Sequence, residues 1–130
     1  MTIPGIAELE LVGTFDRGKP NMERIAIRVN ETTNIGQYAL FLGVRTEAGM
    51  AIPIRDNMFW FGDGIVHPGD WLFIYTSAGA PRATDIPNSD HKLFTIFWGR
   101  KQVILDSDEI VPILVRLDGV IVGGQPVLNA

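Results

Sequence analysis

Arg24-Ile25-Ala26-Ile27-Arg28-Val29-Asn30 is the stretch that decides the fold class. Ile25, Ile27 and Val29 fall on one side of an extended chain, and Arg24, Arg28 and Asn30 on the other. That period of two belongs to a strand with one dry and one wet face. Upstream, Glu8-Leu9-Glu10-Leu11 alternates in the same way. Asp16-Arg17-Gly18 and Lys19-Pro20 supply the turn chemistry between the two segments.

Working outward, later segments are apolar on both faces. Tyr38 to Val44 places Tyr38, Leu40, Leu42 and Val44 against Ala39 and Phe41, and Trp71 to Tyr75 places Trp71, Phe73 and Tyr75 against Leu72 and Ile74. Such strands are central, or covered on the outside by a loop or a partner. His67-Pro68-Gly69-Asp70 predicts a type II turn, with Pro presetting φ and Gly accepting φ > 0. Asp118-Gly119 predicts a hairpin joining Ile113–Leu117 to Val120–Val122, and Gly99-Arg100 a second one joining Leu93–Trp98 to Lys101–Leu105. Asp106 and Glu109 have capping-box spacing, but Pro112 would fall in the first turns of the helix they begin. An edge strand is the better expectation there. Leu93–Trp98 also fits a short helical stripe, and strand is again preferred. Ser77 to Asp90 is the one long irregular stretch, either a crossover between sheets or a functional loop.

The expected fold is therefore all-β: an antiparallel β-sandwich, immunoglobulin-like, of about seven to nine strands, formed by residues 1–130 as a single domain. The 130 residues suffice for one domain with a real core. With no cysteine, a disulfide framework, a thiolate zinc site and a cysteine nucleophile are excluded. A net charge of −4 weighs against general nucleic-acid binding. Arg82, Lys92, Arg100 and Lys101 near Phe97 and Trp98 could form an aromatic-basic patch, but Asp85, Asp90 and Asp106 balance them. The N-terminus, Met1-Thr2-Ile3-Pro4-Gly5-Ile6, has neither a basic nor an apolar region of a secretory signal. No run approaches the ~20 apolar residues of a membrane helix. The expectation is a cytoplasmic protein without a membrane span, with export by another route as the alternative.

Chemistry-bearing patterns are sparse. No serine lies in G-x-S-x-G, and neither Gly62-Asp63-Gly64 nor Gly123-Gly124 belongs to a phosphate-binding loop. Asp106, Asp108 and Glu109 lack the glycine of a calcium loop. Asp63, His67 and Asp70, with Asp90 and His91, are the candidate ligand site, if the fold brings them together. Without H-x-H or HExxH spacing, turn and strand-start roles are the simpler reading for the two histidines. No catalytic residue, metal ligand set or cofactor is expected. Phe59, Trp60 and Phe61 are consecutive, so at least one must point away from the core of a strand. Together with Tyr38 and Phe41 they form the candidate interface, toward a second copy or another protein, unless a loop of the chain covers them. Mean hydropathy of +0.16 is high for so small a chain, and the surplus lies in these two-faced segments.

The order of pieces adds a resemblance. Glu23–Asn30 leads into Glu31-Thr32-Thr33-Asn34-Ile35-Gly36 and Gln37-Tyr38-Ala39-Leu40. Phe59-Trp60-Phe61-Gly62-Asp63-Gly64 precedes Val66-His67-Pro68-Gly69-Asp70 and the apolar Trp71–Tyr75, and Leu117-Asp118-Gly119-Val120-Ile121-Val122 closes the chain. This layout, from Leu9 to Val122, resembles lamin-tail-type immunoglobulin-like domains, with Tyr38 where the family usually has Trp. The resemblance implies an interaction module that contacts proteins, DNA or envelope components. Three functions follow as expectations: a non-enzymatic, self-associating interaction or structural module; a small-ligand or metal-dependent β-domain using His67, Asp63 and Asp70; or a subunit of a phage or secretion assembly.

Overall fold

The structure, a computed structural model, describes residues 5–47 and 49–124. Met1–Pro4, read above for targeting, lie outside the described residues. Among the described residues ten strands run in the order β1 (Leu9–Phe15), β2 (Arg24–Val29), β3 (Thr33–Asn34), β4 (Tyr38–Arg45), β5 (Ala51–Trp60), β6 (Ile65–Val66), β7 (Trp71–Tyr75), β8 (Arg82–Asp85), β9 (Lys92–Phe97) and β10 (Ile110–Arg116), with one 3₁₀ turn at Ile35–Gln37. Two of the ten are only two residues long, so eight longer strands build the sandwich. The larger sheet has the order β1-β2-β7-β9-β8, the smaller β10-β4-β5, and β3 and β6 form a two-stranded ribbon. No helix among the described residues is long and apolar enough to cross a membrane.

The alternation in β2 lands as read. Ile25, Ile27 and Val29 are buried and Arg28 is exposed. They meet Leu9 of β1, Leu72 and Ile74 of β7, and Tyr38, Leu40 and Leu42 of β4 in one hydrophobic cluster between the sheets. Each such side chain contributes about 1.5–3 kcal/mol when fully buried. The two-faced strands take the central places: β7 lies between β2 and β9, and β4 between β10 and β5. Val44, expected on the inner face with Leu42, is exposed where β4 runs past the core.

Leu93–Trp98 is a strand, and Pro112 sits in β10 at an edge, where its missing N–H breaks no ladder. The turn at His67–Asp70 closes with Asp70 N–H donating to the His67 carbonyl (3.0 Å), with Gly69 at φ 92°. His91 packs on Gly69 so closely that a Cβ there would meet the imidazole at 2.4 Å.

Four expectations are corrected. The pairing is antiparallel except between β7 and β9, which are parallel. The stretch Ser77 to Asp90 is less irregular than its composition suggests, because it holds β8, which pairs with β9 at the sheet edge. All four residues of β8 are exposed, so no apolar pattern announces it. Lys101–Leu105 is not a strand. Its backbone N–H groups at Ile104 and Leu105 donate to the buried Glu23 carboxylate at 2.8 and 3.1 Å, a side-chain partner in place of a ladder. Val120–Val122 does not fold back on β10, because neither Asp118 nor Gly119 takes the positive φ that a tight hairpin turn requires.

Candidate functional site

Of the five groups proposed as a ligand site, the fold brings the His67–Asp70 turn against Asp90–His91 and leaves Asp63 apart, and their side chains do not gather into a ligand set. Asp70 is buried and already engaged: Oδ2 accepts from the His67 N–H and Oδ1 from the Lys92 N–H, both at 2.9 Å. It ties the turn before β7 to the start of β9, which is a structural task. His67 Nδ1 lies 3.3 Å from Thr32 Oγ1, His91 rests on Gly69, and Asp90 is exposed in the turn before β9. Asp63 lies instead in a shallow cleft with Ile35, Phe61 and Phe94. Among the described residues no three His, Asp or Glu side chains are grouped as a metal would require.

The five aromatic candidates separate by face. Tyr38 is buried, with its hydroxyl donating to Glu8, and Phe61 is buried in the core. These two are corrected from surface to interior. Phe59 also turns inward, stacked on Trp98 at 5.4 Å. Trp60 points outward and is 49% exposed, with Nε1 donating to the Gly36 carbonyl (2.8 Å). The consecutive aromatics thus obey the strand's period of two.

The register shows what shares the outward face with Trp60. Ala39 pairs with Trp60 and Val115, and Phe41 with Met58 and Ile113. Directly opposed residues project to the same side. Gly43 follows, between Val111 and Pro53. A Cβ on Gly43 would lie 2.5 Å from Ile113 Cδ1, so the isoleucine of the edge strand leans across the central strand. Ala39 and Gly43 on β4 flank Phe41, and with the larger Trp60, Met58, Ile113 and Val115 of its neighbours they form an apolar face. Its paired positions from Ala39 to Gly43 are uncharged, and Arg55 and Asp56 fall in the bulge of the edge strand β5 between Met58 and Pro53. Met58 stays 54% exposed.

Sequence reasoning missed two carboxylates. Glu23 is fully buried, and besides Ile104 and Leu105 it accepts from the Gly18 N–H (3.0 Å) and the Thr76 hydroxyl. Four donors compensate its desolvation. Its signal in the sequence is nil, since the partners lie up to 82 residues away. Glu8 joins the two ends of the fold. It accepts from Tyr38 and from Arg116 Nη1 at 3.0 and 3.1 Å, and the Tyr38 hydroxyl above all holds its carboxyl down at about 2, with Arg116 adding to the effect. Reciprocally, burial first and the Glu8 carboxylate second raise the Tyr38 phenol.

Beside this cluster the sandwich is open. A groove of about 520 Å³ runs between the unpaired edges of β1 and β10, lined by Ile6, Leu9, Leu11 and Leu114, with Arg116 and Asp118 at its end. No family model, no curated protein and no solved structure matches this chain.

Proposed function

We propose that this chain is a non-enzymatic interaction module that associates with itself through the outer face of the small sheet, on a β-sandwich of the immunoglobulin-like kind. The observation that carries this reading is the uncharged face formed by Phe41, Met58, Trp60, Ile113 and Val115. Contiguous exposed apolar surface on a small domain marks a contact site. Uncharged paired positions between Ala39 and Gly43, with Arg55 and Asp56 confined to the bulge of the edge strand, suit a second apolar sheet with a polar rim better than a charged partner. Two such faces brought together pack as aligned sheets do in a sandwich core.

Light scattering over a dilution series tests it. The expected outcome is a mass above that of one chain at high concentration, falling toward 14.4 kDa on dilution. Met58→Lys should shift the midpoint at least about tenfold in concentration, because a charge would be buried without a partner. A strict monomer at every concentration would remove the reading.

A further inference from the structure

The chain leaves β10 as an uncovered apolar arm. Val120, Ile121 and Val122 are 73%, 98% and 63% exposed and pair with nothing among the described residues. Three β-branched residues in a row form a strand sequence without a sheet. The strand they leave has an open side: β10 pairs only with β4, and its free edge borders the groove lined by Leu9, Leu11 and Leu114.

Arm and edge fit each other in detail. Leu117 donates its N–H inward to the Gln37 carbonyl (2.7 Å), so the backbone groups of Arg116 and Leu114 face the free edge, and an antiparallel arm there can set Ile121 opposite Arg116 and Val122 opposite Val115. Ile121 then lies on the face of Leu114, toward the groove, while Val122 lies beside Val115 and widens the outer apolar face of the small sheet. The charges agree as well. The one cation at the edge, Arg116, is neutralised by Glu8 at 3.0 Å and approached by Asp118 at 3.6 Å. A neutral edge accepts an uncharged strand, and 119–124 carries no charge.

Within one chain the fit is not realised. Neither Asp118 nor Gly119 has φ > 0, Arg116 Nε lies 3.6 Å from the Asp118 carboxylate, and the arm stays exposed. We infer that the arm is exchanged: residues 120–122 of one copy add as a strand to the free edge of β10 in a second copy. Exchange of an identical element needs no new complementarity, because the same free edge of β10 is present on every copy. It also covers a strand edge that would otherwise template indiscriminate pairing. The inference deepens the self-association proposed above and rests on it.

The absence of native cysteine makes the test clean. Val115→Cys and Val122→Cys are prepared as two single variants of the full chain, mixed at equal concentration and oxidised. Opposed cross-strand positions lie within disulfide reach. Exchange predicts a mixed disulfide between the two variants as the main product, in excess of either homodimer. Adding Ile121→Asp to the Val122→Cys chain should lower its yield about tenfold by placing a charge in the groove. The double variant Val115→Cys/Val122→Cys is oxidised alone as the second arm. An internally bridged monomer would overturn exchange in favour of a closed hairpin, and free thiols in both experiments would overturn the pairing altogether. If light scattering still shows association when the mixed disulfide fails, the outer-face reading survives and the arm exchange does not. A monomer by light scattering defeats both.

Discussion

The two outer faces of the sandwich are both rich in large apolar side chains, and among the described residues the large sheet alone lays cations over part of its own, although Val12 and Phe15 stay exposed beside an apolar cleft with Trp71, Phe73 and Pro87. On the large sheet, Phe15, Phe73 and Tyr75 lie beneath the guanidinium of Arg24, whose centre is 5.5, 5.6 and 5.7 Å from the three rings. Arg24 is fixed by Asp16 at 2.6 Å, and Arg82 lies 5.8 Å from the Phe97 ring in the same way. Each cation over a ring is worth about 0.5–1 kcal/mol at a surface site. The arginines spread a polar layer over the aromatics, Arg24 so closely that its Nε is buried. On the small sheet Phe41, Met58 and Trp60 face outward, and among the described residues no cation lies over the Phe41 or Trp60 ring. Hydrophobicity alone therefore does not mark a contact surface. What distinguishes the two faces is whether the chain supplies its own cover.

The strongest perturbation breaks the frame that holds both faces. Glu23→Ala leaves the N–H groups of Gly18, Ile104 and Leu105 without their acceptor, and a loss of about 3 kcal/mol or more is expected in urea unfolding. Glu23→Gln, which keeps one oxygen, should lose less.

Gly43→Val attacks the bare face from beneath. Its Cβ would meet Ile113 Cδ1 at 2.5 Å and the Ile52 carbonyl oxygen at 3.0 Å. Overpacking of this kind costs about 1–3 kcal/mol, and urea unfolding together with light scattering should show stability and association falling together. Arg24→Leu tests the opposite face. Removing the lid should cost about 1–2 kcal/mol from the lost ring contacts and the partly buried Asp16 pair, and should turn the large sheet into a second adhesive surface. Its measure is a rise in dye binding or scattered mass over the parent chain. If Arg24→Leu stays as monodisperse as the parent, the lid is not what distinguishes the faces.

The smallest effect expected is a pH dependence from Glu8. Its folded-state value of about 2 lies below the ordinary 4.5, so protonation weakens the fold. The contribution is complete above about pH 4.5 and is lost as pH falls through about 2. Glu8→Gln should remove this component of the acid transition, while the stability difference between parent and variant stays constant above pH 5. An unchanged acid profile would show that the Tyr38–Glu8–Arg116 contact does not couple the ends of the chain.

Legibility in the sequence follows the range of the interaction that shapes each segment. β2, the Pro68-Gly69 turn and the central places of β4 and β7 were readable, because local alternation and turn chemistry determine them. Pro112 likewise placed β10 at an edge. β8 was hidden, since an exposed edge strand of Arg82, Ala83, Thr84 and Asp85 carries no apolar period. Lys101–Leu105 was misread as a strand because its organiser, Glu23, is remote in sequence. Of the interface candidates, Trp60 and Phe41 keep an outward place. The inward turn of Tyr38, Phe59 and Phe61 depends on register, which slips by one residue without any change in composition. The lids on the large sheet were beyond reach for the same reason: Arg24 read as a wet-face residue, and only the register sets it over three rings.

The central claim is that the bare face, and not merely some exposed apolar residue, becomes covered. Met58, 54% exposed on that face, and Met22, 49% exposed in the β1–β2 connection, start from similar accessibility. Oxidation by dilute peroxide, followed by peptide mass spectrometry at low and high protein concentration, compares them within one sample. The account predicts that Met58 oxidation slows several-fold as concentration rises while Met22 oxidation does not. Equal rates for Met58 at both extremes, in a sample whose scattered mass has increased, would contradict it.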